Sequence, residues 1–401
     1  MSLSNLMMNF GLVELYRMPF SRFSNARFYL SNPTMFLQKL SLTNFKNHEA
    51  GLYRFTESIN CIVGENGSGK TNLLDAIYFL ALTKSAISNQ DALSIHQNED
   101  FMMIDGIFCI ENIVDGLPKT KDIQITCSLQ RGQRKAVLRD KKQYEKLSEH
   151  IGKYPVVLIA PNDTDIIRGG SEERRKFFDG VLAQLSVNYL TNLLQYNRLL
   201  DQRNSLLKQF AERNYIDHDL LDVYSAPMLE VALKLNAQRR AFADEYLPIF
   251  KKHYANLSES RESVEIFYES EVSSADFPQE FVAARQRDVA AQRSTKGIHK
   301  DDFVFEIKGA ALRKFGSQGQ QKSFLIALKL AQFEMLFQQK QTRPLLLLDD
   351  IFDKLDDRRI QKLILMMADG TFGQVFLTDA RPERTKQLLE HLDKEVKFFE
   401  I

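Results

Sequence analysis

Apolar and polar residues alternate over residues 36–45, with Leu37, Lys39, Ser41 and Thr43 set against Phe36, Gln38, Leu40, Leu42 and Asn44, which predicts a half-buried strand. Residues 59–63 are a short, partly β-branched apolar run that stops at Gly64, and beyond it Leu73, Leu74, Ile77, Tyr78, Leu80 and Leu82 recur at helical spacing. Between residues 101 and 160 the pattern predicts several short strands with turns at Asp115-Gly116 and Arg131-Gly132, closing on a continuous apolar strand at 156–160. Two long helices follow, over 187–213 and 220–257, one striped by Leu190, Leu193, Leu194, Leu200 and Leu207, the other by Leu220, Tyr224, Met228, Val231, Leu235, Phe242 and Ile249. Pro227 predicts a kink or a break in the second. After Ser294 strands and helices alternate: a strand at 303–307, a helix from Ser317 to near Gln339, a strand at 345–349, a helix from Asp357, a strand at 374–378, a helix after Pro382 and a last strand at 395–400.

Alternation of this kind predicts an α/β fold, a mainly parallel sheet with helices on both faces. The helical pair interrupts it, so the expected organisation is a head split in sequence, residues 35–180 and 295–401, with an inserted helical arm or lid at 181–294. Residues 1–34, with Arg17, Arg22 and Arg27 against the one acid Glu14, are expected to be a loose extension ahead of a first strand opening at Met35.

Composition changes this picture little. Hydrophobic residues make up 44% and charged residues 26% of 401 residues, an ordinary globular balance. No apolar run approaches the roughly 20 residues that span a bilayer. A formal net charge of +1 means that nucleic-acid binding has to come from local patches. Cys61, Cys109 and Cys127 lack C-x-x-C spacing, which fits a reducing cytoplasm and excludes a zinc site or a disulfide scaffold.

The chemistry is concentrated in three places. Gly64-Glu65-Asn66-Gly67-Ser68-Gly69-Lys70-Thr71 is a full G-x-x-x-x-G-K-[ST] match between a strand and a helix. Its glycines let the backbone curl so that successive N–H groups face phosphate oxygens; Lys70 reaches the β- and γ-phosphates and the Thr71 hydroxyl a Mg²⁺ ion. Leu345-Leu346-Leu347-Leu348-Asp349-Asp350 is a buried strand ending in acids, which delivers Asp349 to the metal and Asp350 to the attacking water. Ser317-Gln318-Gly319-Gln320-Gln321-Lys322 opens a helix, with Ser317 suited to the N-cap and the N–H groups around Ser317, Gly319 and Gln320 forming a second anion site. Two phosphate-reading helix ends in one chain suggest a sandwich in which two copies grip the same ATP.

These three stretches, with Asp353-Lys354-Leu355-Asp356, resemble the Walker A, signature, Walker B and D-loop elements of ABC-type ATPase heads. Pro161-Asn162-Asp163, the run Gly169-Gly170-Ser171-Glu172-Glu173-Arg174-Arg175-Lys176-Phe177-Phe178-Asp179, and Gly297-Ile298-His299-Lys300-Asp301-Asp302-Phe303 narrow the resemblance to the RecF family of bacterial recombination mediators, over residues 35–401. That resemblance implies a weak, DNA-stimulated ATPase using ATP and Mg²⁺, an ATP-dependent homodimer on gapped or single-strand/double-strand junction DNA, partnership with RecR and RecO, and a role in replication, repair and the SOS response. The chain departs from these patterns in four ways: Asp350 stands where many ABC ATPases have Glu, though this agrees with the RecF pattern; Asn162 is the best candidate for the Q-loop in place of a Gln; the switch position reads Thr378-Asp379 and not His; and residues 84–90 lack the Arg-rich turn expected in the family. Basic residues cluster at Arg131, Arg134, Lys135, Arg139, Lys141, Lys142 and Lys146, and again at Arg174, Arg175 and Lys176. A transporter ATPase subunit is the alternative from another class; the 247 residues between Lys70 and Ser317 hold a long arm instead of a compact insert and argue against it. A chromosome tether of the SMC kind would need far longer arms than residues 187–257 supply.

Overall fold

The structure, a computed structural model, describes residues 34–401 apart from 115–116, 214 and 259–261, with the backbone alone for 112–114, 117, 118, 353 and 354. The extension expected at the N-terminus and the turn at Asp115-Gly116 therefore lie outside the described residues.

The first half of the head contributes strands β1 (Thr34–Phe45), β2 (His48–Arg54) and β3 (Ile59–Val63), then helix α1 (Lys70–Leu82). It continues with β4 (Phe101–Val114), β5 (Leu117–Gln130), β6 (Ala136–Arg139), β7 (Lys142–Gln143) and β8 (Val156–Ile159). Helices α2 (Thr164–Arg168), α3 (Ser171–Leu185), α4 (Val187–Arg213) and α5 (His218–Ser258) lead out into the arm, and β9 (Val264–Glu269), α6 (Phe277–Ala283) and α7 (Arg285–Ala290) lead back. Then come β10 (Asp302–Ile307), β11 (Ala310–Ala311), α8 (Leu312–Phe315), α9 (Gln318–Lys340), β12 (Leu345–Leu348), α10 (Ile351–Lys354), α11 (Asp357–Ala368), β13 (Val375–Asp379), α12 (Pro382–Leu389) and β14 (Val396–Glu400).

Five strands form a parallel sheet in the order β14-β3-β13-β12-β8. Every residue of β3, β12 and β13 is buried, as the continuous apolar runs require of a sheet covered on both faces. Because side chains alternate across the sheet, the same strands feed two cores. Ile62, Leu345, Leu347 and Phe376 join α1 and the antiparallel sheet β2-β1-β4-β5-β6-β7. Cys61, Val63, Leu346, Leu348 and Leu377 join α3, α5, α9 and β10. Helix α1, wedged between the two sheets, is accordingly buried almost all round.

Three expectations need correction. In place of several short strands, β4 and β5 are each 14 residues long. The strand at 303–307 does not join the parallel sheet; as β10 it pairs antiparallel with β9 and β11 in a separate three-stranded sheet. Helix α5 does not break: it runs for 41 residues, about 60 Å, through both Pro227 and Pro248. Each proline leaves one carbonyl without its helical donor, those of Val223 and Asp244, and both residues are exposed, where water can take the place of the lost N–H. In β1 a bulge between Leu37 and Lys39 shifts the register, so that Leu37, Leu40 and Leu42 all face the core despite their uneven spacing.

The arm is fastened to the head along α5 and α9. Phe250 packs on Phe324 with ring centroids 4.5 Å apart, and the Tyr246 hydroxyl donates to the Leu328 carbonyl at 2.6 Å. Glu334 of α9 accepts from His253 at 2.7 Å and from Lys252 at 2.8 Å, and the His253 contact leads in holding its carboxyl down at about 2. A depressed carboxylate pKa stabilises the fold above the unfolded value of 4.5, and that contribution disappears as pH falls through the folded one. Glu334→Gln is therefore expected to lower the urea midpoint at neutral pH, with the deficit shrinking below about pH 4.5; an equal deficit at all pH values would contradict the assignment.

Candidate nucleotide site

The phosphate loop is built from backbone that only glycine adopts easily. Gly67 and Gly69 have φ of 87° and 113°, and a Cβ on Gly69 would sit 2.6 Å from the Asn47 side chain. Gly64 is closed in by the chain end: its added Cβ would lie 2.1 Å from the Ile401 carbonyl, and Ile401 N donates to Val63 at 3.0 Å. The β1–β2 turn braces the other side. Asn47 donates to the Ser68 carbonyl at 3.3 Å and accepts from Asn72 at 2.7 Å. His48 Nε2 lies 3.2 Å from the Gly69 carbonyl, which can only accept, so Nε2 carries the proton. Burial holds the His48 pKa below its usual value, and the ring beside the loop is neutral.

Within this cradle Lys70 Nζ donates to the Gly64 and Glu65 carbonyls at 2.8 and 2.7 Å. Asp349, at the end of β12, receives the Thr71 hydroxyl at 2.9 and 3.1 Å and the Thr378 hydroxyl at 2.8 Å. Thr378 Oγ1 in turn accepts from the Asp350 backbone N–H at 2.9 Å, which fixes Asp350 in the left-handed region at φ 49°. Burial pushes the Asp349 carboxyl above its usual 3.8, a tendency that the Thr378 and Thr71 hydroxyls oppose and the neighbouring Asp350 reinforces. A hydroxyl and one desolvated carboxylate side by side are what a Mg²⁺ ion takes when it keeps waters and shares phosphate oxygens. Among the described residues there is no cluster of three or more metal-binding His, Cys, Asp or Glu side chains, so a metal here is not caged by protein alone. The residues fit the group: Thr71 and Asp349 would hold the cation, and Lys70 would exchange its loop carbonyls for phosphate oxygens.

Thr71 and Asp349 open onto a cleft of about 920 Å³ that runs past Asn162 and Asp163 to residues 84–89. Asn162, the residue offered for the Q-loop, lines it; Asp163 is held by the Ala160 N–H at 2.7 Å and by Lys329 of α9 at 2.7 Å. The loop at 84–90 hangs from buried Asp75, which accepts from Ser85 at 2.7 Å and from the Ala86 N–H at 2.6 Å.

The turn at Ser317 stands apart. Ser317 Oγ accepts from Gln320 N at 3.2 Å while Gln320 Oε1 accepts from Ser317 N at 2.6 Å, a capping box. Gln320 Nε2 also reaches Glu262 at 2.6 Å, and Arg359 donates to the Gly319 carbonyl at 2.9 Å. Ser317 and Gln318 are exposed, and none of Ser317, Gly319 and Gln320 lines the cleft that holds Thr71 and Asp349. The structure brings Gly64, Glu65, Asn66, Gly67, Ser68, Gly69, Lys70, Thr71, Asp349 and Asp350 together, and among the described residues the hydrogen bonds of the Ser317 turn go to Glu262 and Arg359 and not to this group.

Sequence reasoning missed Asn47, His48, Asn72, Arg359 and Glu262, none of which belongs to a recognisable spacing; Thr378 was legible only as a position. The basic runs separate. Arg174 forms a bidentate pair with Asp302 at 2.7 and 2.8 Å and Arg175 donates to the Asp301 carbonyl at 2.5 Å, so both are engaged inside the fold, whereas Lys176 is exposed and pairs with Glu172 and Glu173 of its own helix at 2.9 and 3.1 Å. Lys135 is tied to Asp91 at 2.6 Å, whereas Arg134, Lys141, Lys142 and Lys146 are exposed near the β7 edge.

A glycine cradle ahead of a helix, a strand-end carboxylate on its threonine and a second capped helix start define a P-loop head of the ABC ATPase class. The RecF/RecN/SMC N terminal domain model matches residues 36–398. The DNA replication and repair protein RecF of Flavobacterium johnsoniae is 44% identical over 367 residues, covering 92% of this chain and 100% of that protein. Two structures of the recombination mediator protein RecF in the RecFOR pathway, RecF-ATPrS and RecF-ATP, match with TM-scores of 0.79 and 0.78 at 26% and 25% identity, over 92% of this chain and 96% and 98% of theirs. The chain belongs to the RecF family of DNA replication and repair ATPases.

The raised Asp349 pKa carries a stability consequence. A carboxyl whose folded pKa lies above its unfolded one favours the fold only when protonated, so at neutral pH the ionised group is a liability. Asp349→Asn is expected to leave Tm at pH 7 unchanged or raised, an advantage that fades as pH falls through the carboxylate range. A clear loss of Tm at neutral pH would refute this reading of the site's electrostatics.

Proposed function

We propose that the chain binds ATP and Mg²⁺ at residues 64–71 and Asp349, and that a second copy completes each site with its Ser317 turn. The observation that supports this is a second helix start besides the one at the phosphate loop: the capped turn at Ser317, where Ser317 and Gln318 are exposed. Ser317 Oγ accepts from Gln320 N and keeps its own proton, so the hydroxyl can donate to a phosphate oxygen without opening the cap. The N–H groups of Gln318 and Gly319 belong to the first helical turn and have no intrahelical partner to lose. In the chemistry proposed, Lys70 stabilises charge on the transferred phosphoryl group and Asp350 orients the water, its backbone set by Thr378.

On this reading ATP joins two heads, the arms close on DNA, and hydrolysis releases the pair. Resemblance to the RecF family supports gapped DNA and single-strand/double-strand junctions as the target, slow DNA-stimulated turnover in the cytoplasm, RecR and RecO as partners, recombinase loading, and support of replication and the SOS response. Exposed Arg134, Lys141, Lys142 and Lys146 offer phosphate contacts without base reading.

Light scattering with ATP and Mg²⁺ is expected to show the mass doubling for the natural chain and not for Lys70→Ala; a natural chain that stays monomeric would end the two-chain reading. Asp350→Asn should still dimerise while phosphate release falls by about a hundredfold or more. Hydrolysis at the natural rate in that variant would remove Asp350 from the role given to it.

A further inference from the structure

Helix α11 begins three residues past the end of the short helix that follows Asp349 and Asp350, and its Arg359 reaches back to the signature turn. Arg359 Nε and Nη2 donate to Ser323 Oγ at 2.8 and 2.6 Å, and Nη2 donates to the Gly319 carbonyl at 2.9 Å. Nη1 pairs with the Asp356 carboxylate, whose other oxygen caps α11 by accepting from Arg359 N at 3.0 Å. Among the described residues, the hydrogen bonds between residues 351–368 and residues 316–323 all run through this one side chain. The fork is planar and engaged on every side, and Ser323, its chief acceptor, is 1% exposed.

We infer that Arg359 is a positioning residue that locks the Ser317 turn to the segment carrying Asp349 and Asp350, so that a chain's grip on its partner's nucleotide is coupled to the chemistry at its own. This rests on the two-chain reading above. The turn at 317–320 would serve the nucleotide held by the other copy, whereas Asp349 and Asp350 serve the nucleotide of the same chain. A rigid bridge between them makes each site respond to occupation of the other, the condition for coupling between sites. Lysine keeps the charge but cannot span Asp356, Ser323 and Gly319 at once.

The test compares the natural chain with Arg359→Ala, Arg359→Lys and Ser323→Ala. A fluorescent ATP analogue, titrated at protein concentrations where the chain is monomeric, reads the lone chain's own site. Sedimentation velocity with ATPγS and Mg²⁺ reads the dimer. Arg359→Ala is expected to bind the analogue within about twofold of the natural chain while its dimer dissociation constant rises about ten- to a hundredfold, since charge-assisted hydrogen bonds of this kind are worth that much. In steady state its kcat should fall with KM for ATP little changed, and Arg359→Lys should recover part of the dimer affinity. Should Arg359→Ala fail to fold, Ser323→Ala and Arg359→Lys decide the matter: each must weaken the dimer at an unchanged Tm. Natural dimer affinity in the variants, or an equal loss of nucleotide binding by the lone chain, overturns the inference. A natural chain that never dimerises overturns the two-chain reading itself, a separate and distinguishable failure.

Discussion

Thr71 and Asp349 are 278 residues apart in sequence and 2.9 Å apart in space, and the rest of the site depends on that contact. It exists because β3, from the first half of the chain, lies between β13 and β14 from the last. Parallel strands point their carboxyl ends the same way, so the loop after β3 and the acids after β12 emerge at one edge. Neither half of the head can form this sheet alone, and the arm between them has to fold without pulling the halves apart. Another contact adds to the closure: β14 pairs with β3, and Ile401 sits against Gly64 of the phosphate loop.

The arm meets the head through buried charge. Arg239 of α5 donates to Asp179 at 2.9 and 3.0 Å, to Asp301 at 2.8 Å and to the Ile298 carbonyl at 2.9 Å. Tyr189 closes on Asp179 and Tyr268 on Asp301, both at 2.5 Å, while Tyr196 meets His299 at 2.7 Å. The stretch 297–303, which carried much of the family resemblance, is therefore bonded to the long helices through Ile298, His299 and Asp301. Gly297 is small for the same reason, since a Cβ there would lie 2.4 Å from the Tyr196 hydroxyl. Farther out, Arg203 and Asp288 pair with both side chains fully buried, and Ser225 and Ser294 take two of the remaining guanidinium donors. Buried pairs like these stabilise little against apolar replacements but tolerate few alternative geometries, which suits an arm that has to keep one angle to its head.

Most of the nucleotide cradle was legible in the sequence, because glycine, lysine, threonine and a strand-end acid at fixed spacing have few other uses. What could not be read is what depends on distant partners. A basic run such as Arg174-Arg175-Lys176 looks the same whether it faces solvent or a carboxylate 128 residues away, and Arg174 faces Asp302. The length of the β4–β5 pairing was not legible either, and Gly106 interrupts the side-chain alternation of β4. Gly106 stands where Leu80 of α1 presses on the sheet, and an added Cβ would come 2.2 Å from that side chain. Thr378 had a recognisable place but no recognisable role until its hydroxyl was seen to join Asp349 to the Asp350 backbone.

The signature turn carries charge of both signs, which bears on the proposed two-chain site. Glu262 lies against Gln320; burial works to neutralise its carboxyl, but Gln320, Tyr254 and Lys308 together hold its pKa below the usual value and keep it charged. A negative group beside a helix start opposes an incoming anion and offsets part of the attraction of the free N–H groups. Lys308 pairs with Glu262 at 3.3 Å, and Arg359 donates to the Gly319 carbonyl at 2.9 Å. In the phosphate loop the Lys70 ammonium rests on two loop carbonyls, which phosphate oxygens would replace. In the proposed sandwich the γ-phosphate would bridge the loop of one copy and the turn of the other. Loss of that phosphate would then remove the shared ligand from both sides at once, which is the physical requirement for a clamp that lets go.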